Sequence, residues 1–144
     1  MKRIALCLLF SLNLVPGVRA EQPFFEDKTI RLVLGFSPGG ISDLWARALA
    51  RAMTPHIPGK PSIISQNMPG AGSLSAANYI YNIAKPDGLT LLAANPNIAI
   101  AQLVKEEAVR FDITKFAWVG SSGSDGVVLS VRSDLPYKTF EQVQ

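Results

Sequence analysis

Three times between Ile30 and Val104 a short strand-forming run stops at a small or turn-forming loop, and a helical spacing follows. "IRLVLGF" leads through "SPGG" into a segment whose apolar groups recur at Ile41, Leu44, Trp45, Ala48, Leu49 and Ala52. That spacing of three and four predicts an amphipathic helix with Trp45 in the core and Arg47 and Arg51 on the solvated side. "SIISQN" leads through "MPGAGS" into a second helical face, Leu74, Ala77, Ile80, Tyr81 and Ala84. "LTLLAAN" leads through Pro96 and Asn97 into a short helical stretch from Ile98 to Val104. "TPHIPGKP" stops the first helix, and "KPDG", Lys85 to Gly88, is a tight reversal in which Asp87 is used up. Strands alternating with helices imply right-handed βαβ units around a mostly parallel sheet, an α/β fold.

From Phe111 the pattern changes. "FAWVGSS" and "GVVLSVRS" read as two strands separated by "SGSDG". In "LPYKTFEQVQ", Thr139 followed by Gln142 is a capping-box pattern that announces a helix. A helix that opens without a body is not stable alone. The expectation is a truncated product or a fragment of a longer chain, with a first lobe over 21–110 and the opening of a second over 111–144.

The first twenty residues, "MKRIALCLLFSLNLVPGVRA", have a basic start, an apolar core from Ile4 to Val15, a Pro16-Gly17 break and small or permissive groups before Ala20. This is the layout of a secretory signal cleaved after Ala20, with a core too short to anchor in a bilayer. Periplasmic export is therefore expected. Of 14 basic residues, Lys2, Arg3 and Arg19 fall in this leader, while all 11 acidic residues follow it, so the mature balance is 14 − 3 = 11 against 11. A neutral chain gives no reason to expect nucleic acid or an anionic membrane as partner. The single cysteine, Cys7, lies in the leader and the single histidine is His56, so a thiolate or multi-histidine metal site is not expected.

The first two loops invite competing chemistries. Gly35-Phe36-Ser37-Pro38-Gly39 fits the serine-nucleophile elbow G-x-S-x-G in a strand-to-helix setting. That mechanism uses the N–H after the serine as an oxyanion donor, and Pro38 has none. His56 falls beyond the far end of the following helix, roughly 20 Å away. A phosphate-binding P-loop would need a lysine followed by serine or threonine, absent from "PGGIS". Gly70-Ala71-Gly72-Ser73-Leu74-Ser75 departs from the dinucleotide fingerprint at Ser75. A simpler reading fits both loops: helix N-termini at one end of a parallel sheet offer backbone N–H groups to an anion. Glycines 39, 40, 70 and 72 allow close approach, and Ser37, Ser42, Ser73 and Asn67 can add donors. With no lysine or arginine in either loop, a carboxylate is favoured over a polyphosphate. Asp43 complements the helix dipole in the first turn, or meets a ligand hydroxyl or ammonium. Asn95 and Asn97 are wall residues of the same crevice, or turn formers.

In order, "KTIRLVLGFSPGGISDLWARALA", "NMPGAGSLSAANYI", "KPDGLTLL" and "LPYKTFEQV" resemble the extracytoplasmic solute receptors of tripartite tricarboxylate transporters, the Bug family, from about Lys28 to the last residue. The resemblance implies a two-lobed fold like the type II periplasmic binding proteins, monomeric at full length and twice as long as this chain. It implies a receptor without catalysis, metal or cofactor, which closes on a di- or tricarboxylate or related organic acid and hands it to membrane transporter subunits. Residue by residue, the binding loops would be Phe36, Ser37, Gly39, Gly40, Ser42 and Asp43, then Asn67, Pro69, Gly70, Ala71, Gly72 and Ser73, with Asn95 on the third-strand wall. The alternatives are a serine hydrolase using Ser37 and a truncated remnant that binds nothing.

Overall fold

The computed structural model describes residues 22–121, 123, 132, 134–137 and 139–142. The expected leader, and all of "GVVLSVRS" except Arg132, lie outside the described residues. The chain divides into two compact units, with the division between Thr114 and Lys115.

In the first unit, strands β1 (Thr29–Leu34), β2 (Ser62–Asn67) and β3 (Thr90–Ala93) form one parallel sheet in the order β2-β1-β3. Between them run helices α1 (Ile41–Met53) and α2 (Leu74–Asn82), and α3 (Ile98–Leu103) follows β3. β1 is central and apolar, with Ile30, Val33 and Leu34 buried, as a strand covered on both faces requires. The strand order explains the cover. The chain passes from β1 to β2 on one side, then crosses back over β1 to β3, and right-handed crossovers place the two helices on opposite faces. Asn67, on one face of the sheet, bonds to Asp43 of α1, whereas Arg31, on the other, bonds to Tyr79 of α2. Leu74, Ala76 and Ala77 of α2, Ile98 and Ala101 of α3, and Phe111 complete the core. The Lys85–Gly88 reversal forms as expected, with Asp87 accepting the Leu89 N–H and Gly88 at φ +76°.

One expectation fails on α1. The broad apolar stripe is not in the core: Ile41 is 87% exposed, Leu44 58% and Trp45 54%. The residues turned inward are Asp43, Ala46 and Ala50, and Arg47 beside them is half-buried. These residues also recur at three and four, so spacing alone did not separate the two faces. Small side chains let the helix lie close to the sheet, and the polar bonds of Asp43 fix its rotation.

In the second unit, residues 116–121 are irregular chain rather than the expected strand. Apolar, β-branched content does not make a strand until a ladder forms around it. The capping pattern is realised locally: Gln142 Oε1 accepts the Thr139 N–H at 3.2 Å, at the start of a single 3-10 turn over Phe140–Gln142.

Candidate functional site

The three strands end level with one another. Leu34 is in register with Asn67 on one side and with Ala93 on the other, so all three following loops start at one rim of the sheet. Because the chain leaves β1 in one direction and returns to β3 in the other, this rim is the topological switch point, the place where α/β sheets bind ligands.

The first and second loops are joined by a polar cluster centred on Asp43, which is only 2% exposed. Its Oδ2 accepts the Gly39 N–H at 2.9 Å. Its Oδ1 accepts from Asn67 Nδ2 at 2.7 Å and from Arg47 Nε at 3.0 Å. Asn67 Nδ2 also donates to the Phe36 carbonyl at 3.0 Å, and Asn67 Oδ1 accepts from Arg47 Nη2 at 2.6 Å. The Gly39 N–H, then the Asn67 amide and the Arg47 guanidinium, favour the ionised form and hold the Asp43 carboxyl down at about 2. Asp43 and Asn67 therefore face each other, with their polar atoms engaged inside the protein. Arg47 was placed on the solvated side by its sequence position, and the structure instead makes it the third member of this cluster. Its offset of four from Asp43 was the available signal.

The third loop is tied in by Ser73, which is 1% exposed. Its hydroxyl donates to the Gly35 carbonyl at 2.9 Å and accepts the Asn95 N–H at 3.1 Å. One buried side chain thus bridges the ends of β1 and β3 from the loop after β2. To do so Ser73 adopts a left-handed backbone, φ +79°, after Ala71 at +44° and Gly72 at +60°. Non-glycine residues adopt that region at a cost, here offset by one buried and one part-buried hydrogen bond. Gly35 must be glycine for the same contact, since a Cβ there would lie 2.4 Å from Ser73 Oγ. Asn95 Oδ1 accepts the Asn97 N–H, the turn-forming role anticipated for this pair.

The surface left at the rim consists of the exposed Ser37, Gly39, Gly40, Ser42, Pro69, Gly70, Ala71 and Gly72, with Phe36 half-buried beside them. Helix α1 opens without a side-chain cap, and the N–H groups of Gly40, Ile41 and Ser42 have no partner among the described residues. The first amides of α2 are spent internally: Ser73 and Ser75 donate to the Gly70 carbonyl, and Leu74 donates to that of Ala71. The second loop therefore offers the amides of Gly70, Ala71 and Gly72 rather than a helix N-terminus. The donors brought together are backbone N–H groups and the hydroxyls of Ser37 and Ser42, an arrangement suited to oxygen-rich anions. A separate depression lined by Arg31, Tyr79, Lys85, Asp87 and Thr90 lies toward the opposite end of the strands.

Comparison with known proteins adds ancestry to this geometry. No protein-family model matches the chain. It is 34% identical over 144 residues to a UPF0065 protein of Bordetella pertussis, a match covering 99% of this chain and 42% of that protein. It is 31% identical over 125 residues to a UPF0065 protein in the gbd 5' region of Cupriavidus necator, and 29% identical over 136 residues to one in the TAR-I ttuE-ttuC' intergenic region of Agrobacterium vitis. Its homologues carry the name UPF0065, the Bug family. The chain spans 42%, 37% and 38% of these three relatives, well under half of each.

Proposed function

We propose that this chain carries the first-lobe half of a Bug-type periplasmic receptor that captures a small di- or tricarboxylate for a tripartite transporter. The observation that carries the reading is the rim at the switch point. Three loops are held level there by buried and part-buried bonds, and they present two hydroxyls and amides that have no partner among the described residues, on a chain whose homologues are UPF0065 proteins. Amide donors at a helix N-terminus complement a carboxylate without the multiple cations a polyphosphate demands. In a two-lobed receptor the opposing lobe closes over such a rim and excludes water, which strengthens each of these bonds. On this reading the protein is not an enzyme, and the leader delivers it to the periplasm.

The serine-hydrolase alternative draws no support from the rim. Ser37 is exposed, Pro38 supplies no oxyanion donor, and His56 lies beyond the C-terminal end of α1.

Thermal melts with succinate, citrate and benzoate test the receptor reading. A saturable rise in melting temperature, lost in an Ile41→Pro variant that removes an open amide at the first position of α1, where proline fits a helix, is the expected result, because a ligand bound only to the native state stabilises it. No shift with any of the three, alongside hydrolysis of a nitrophenyl ester that Ser37→Ala abolishes, would replace the receptor with the enzyme.

A further inference from the structure

At the end of the sheet away from the rim, β1, β3 and the C-terminal end of α2 line an open depression of about 370 Å³. Arg31 and Thr90 are register partners on adjacent strands, so their side chains leave the same face of the sheet, the one that α2 covers. Tyr79 of α2, with Ile83 and Lys85 just past the end of that helix, forms the opposite wall. Arg31 Nη1 donates to the Tyr79 hydroxyl at 3.0 Å. The phenol oxygen is the acceptor of that bond, and its own O–H is left to donate elsewhere. Asp87 is the one carboxylate of the lining, and its Oδ1 is engaged by the Leu89 N–H. Neither Arg31 nor Lys85 makes an ion pair among the described residues. Lys85 follows a helix C-terminus, where any cation is favoured. Arg31 comes from the central strand, and its guanidinium is held by a phenol instead of a carboxylate.

Two cations, a phenol O–H and the Thr90 hydroxyl thus border one space, with a single carboxylate against them. The rim is the reverse case, since its loops hold no lysine or arginine. We propose that the depression binds a small phosphomonoester, with its phosphate on Arg31, Lys85 and Tyr79 and its organic part beside Ile83 and Ala84. Such a group carries about −1.5 to −2 at neutral pH, which matches two cations, whereas a single carboxylate would leave one unmatched. A guanidinium engages two phosphate oxygens at once, and an ammonium adds a compact charge. A volume of about 370 Å³ falls at the small end of ordinary small-molecule sites and exceeds what a bare phosphate fills. The difference is the room for a substituent. None of these residues belongs to the three rim loops, so the site stands whether or not the rim takes a carboxylate.

Isothermal titration of the chain with glycerol 3-phosphate at fixed ionic strength tests this. Expected is saturable binding that Arg31→Gln and Lys85→Gln each weaken about three- to tenfold. Tyr79→Phe keeps the ring, removes the O–H and should weaken binding about threefold. Asp87→Ser keeps an oxygen for the Leu89 N–H and removes the opposing charge, so it should tighten binding. Arg51→Gln removes an exposed cation of α1, across the sheet, and should leave the affinity unchanged. The absence of saturable binding would overturn the inference. An equal loss in Arg51→Gln would do so by showing diffuse attraction, and loss in Ile41→Pro by placing the phosphate at the rim. Sedimentation with phosphatidylglycerol vesicles, without binding of glycerol 3-phosphate, would overturn it in favour of a lipid surface.

Discussion

Asn67, the last residue of β2, donates through Nδ2 to Asp43 Oδ1 at 2.7 Å and thereby fixes the first turn of α1 against the sheet. The same nitrogen donates to the Phe36 carbonyl, so a single amide holds both ends of the loop between β1 and α1. Asp43 is bound to the frame that shapes the rim, and the surface open to a ligand is the backbone beside it.

The Asp43 carboxyl makes stability depend on acid in a defined window. Its folded value of about 2 lies below the ordinary 3.8, so its contribution is complete above about pH 4 and is lost as pH falls through about 2. Urea midpoints measured from pH 5 to pH 2 should fall for the native chain. Asp43→Asn should start less stable at pH 5 and converge with it at the acid end. Parallel curves would show that the carboxylate is not what titrates.

Ser73→Ala removes both bonds that bridge β1 and β3 and takes their partner from a buried carbonyl and a part-buried N–H. The expected loss is about 1–3 kcal/mol, read from urea unfolding with an unchanged m-value. Hydrogen exchange at the Asn95 amide should accelerate more than the global loss alone explains.

Gly35→Ala drives a methyl into Ser73, whose Oγ would lie 2.4 Å and Cβ 2.5 Å from it. Overpacking of this kind costs about 1–3 kcal/mol. Adding Ser73→Gly to Gly35→Ala clears both contacts, so the double variant should be more stable than Gly35→Ala alone. Strict additivity of the two losses would count against the contact.

The rotation of α1 separates two sets of substitutions. Ala50→Leu enlarges a side chain that is 4% exposed against the sheet and should cost about 1–3 kcal/mol. Leu44→Ala, on the exposed stripe, should change the stability of this chain by no more than about 0.5 kcal/mol. A loss of about 2–5 kcal/mol at Leu44 would instead place it in a core. Chemical denaturation of the two variants decides between these.

Much of the fold was legible in the order of residues. The β2 boundaries Ser62 and Asn67, the Asp87 reversal and the Thr139–Gln142 cap follow from local chemistry: alternation, turn residues and capping groups act within a few positions. The parallel sheet followed from the alternation of elements. Less of the candidate site was legible. The two glycine loops were identifiable, but Ser73, Asn67 and Asp43 appeared there as free donors or ligand contacts, and Arg47 did not appear at all.

Those roles depend on partners 20 to 38 positions away in the chain, as in Asn67 with Arg47 and Ser73 with Gly35. Backbone preference and period are properties of neighbours, and they were enough to place the strands, turns and helices of the first unit, though not the irregular run over 116–121. Only the tertiary structure decided which face of α1 turns inward and which polar groups are spent on one another. Two faces of the helix had the same period, and the choice fell to a buried carboxylate held by the preceding loop, by Arg47 of its own helix and by Asn67 of β2.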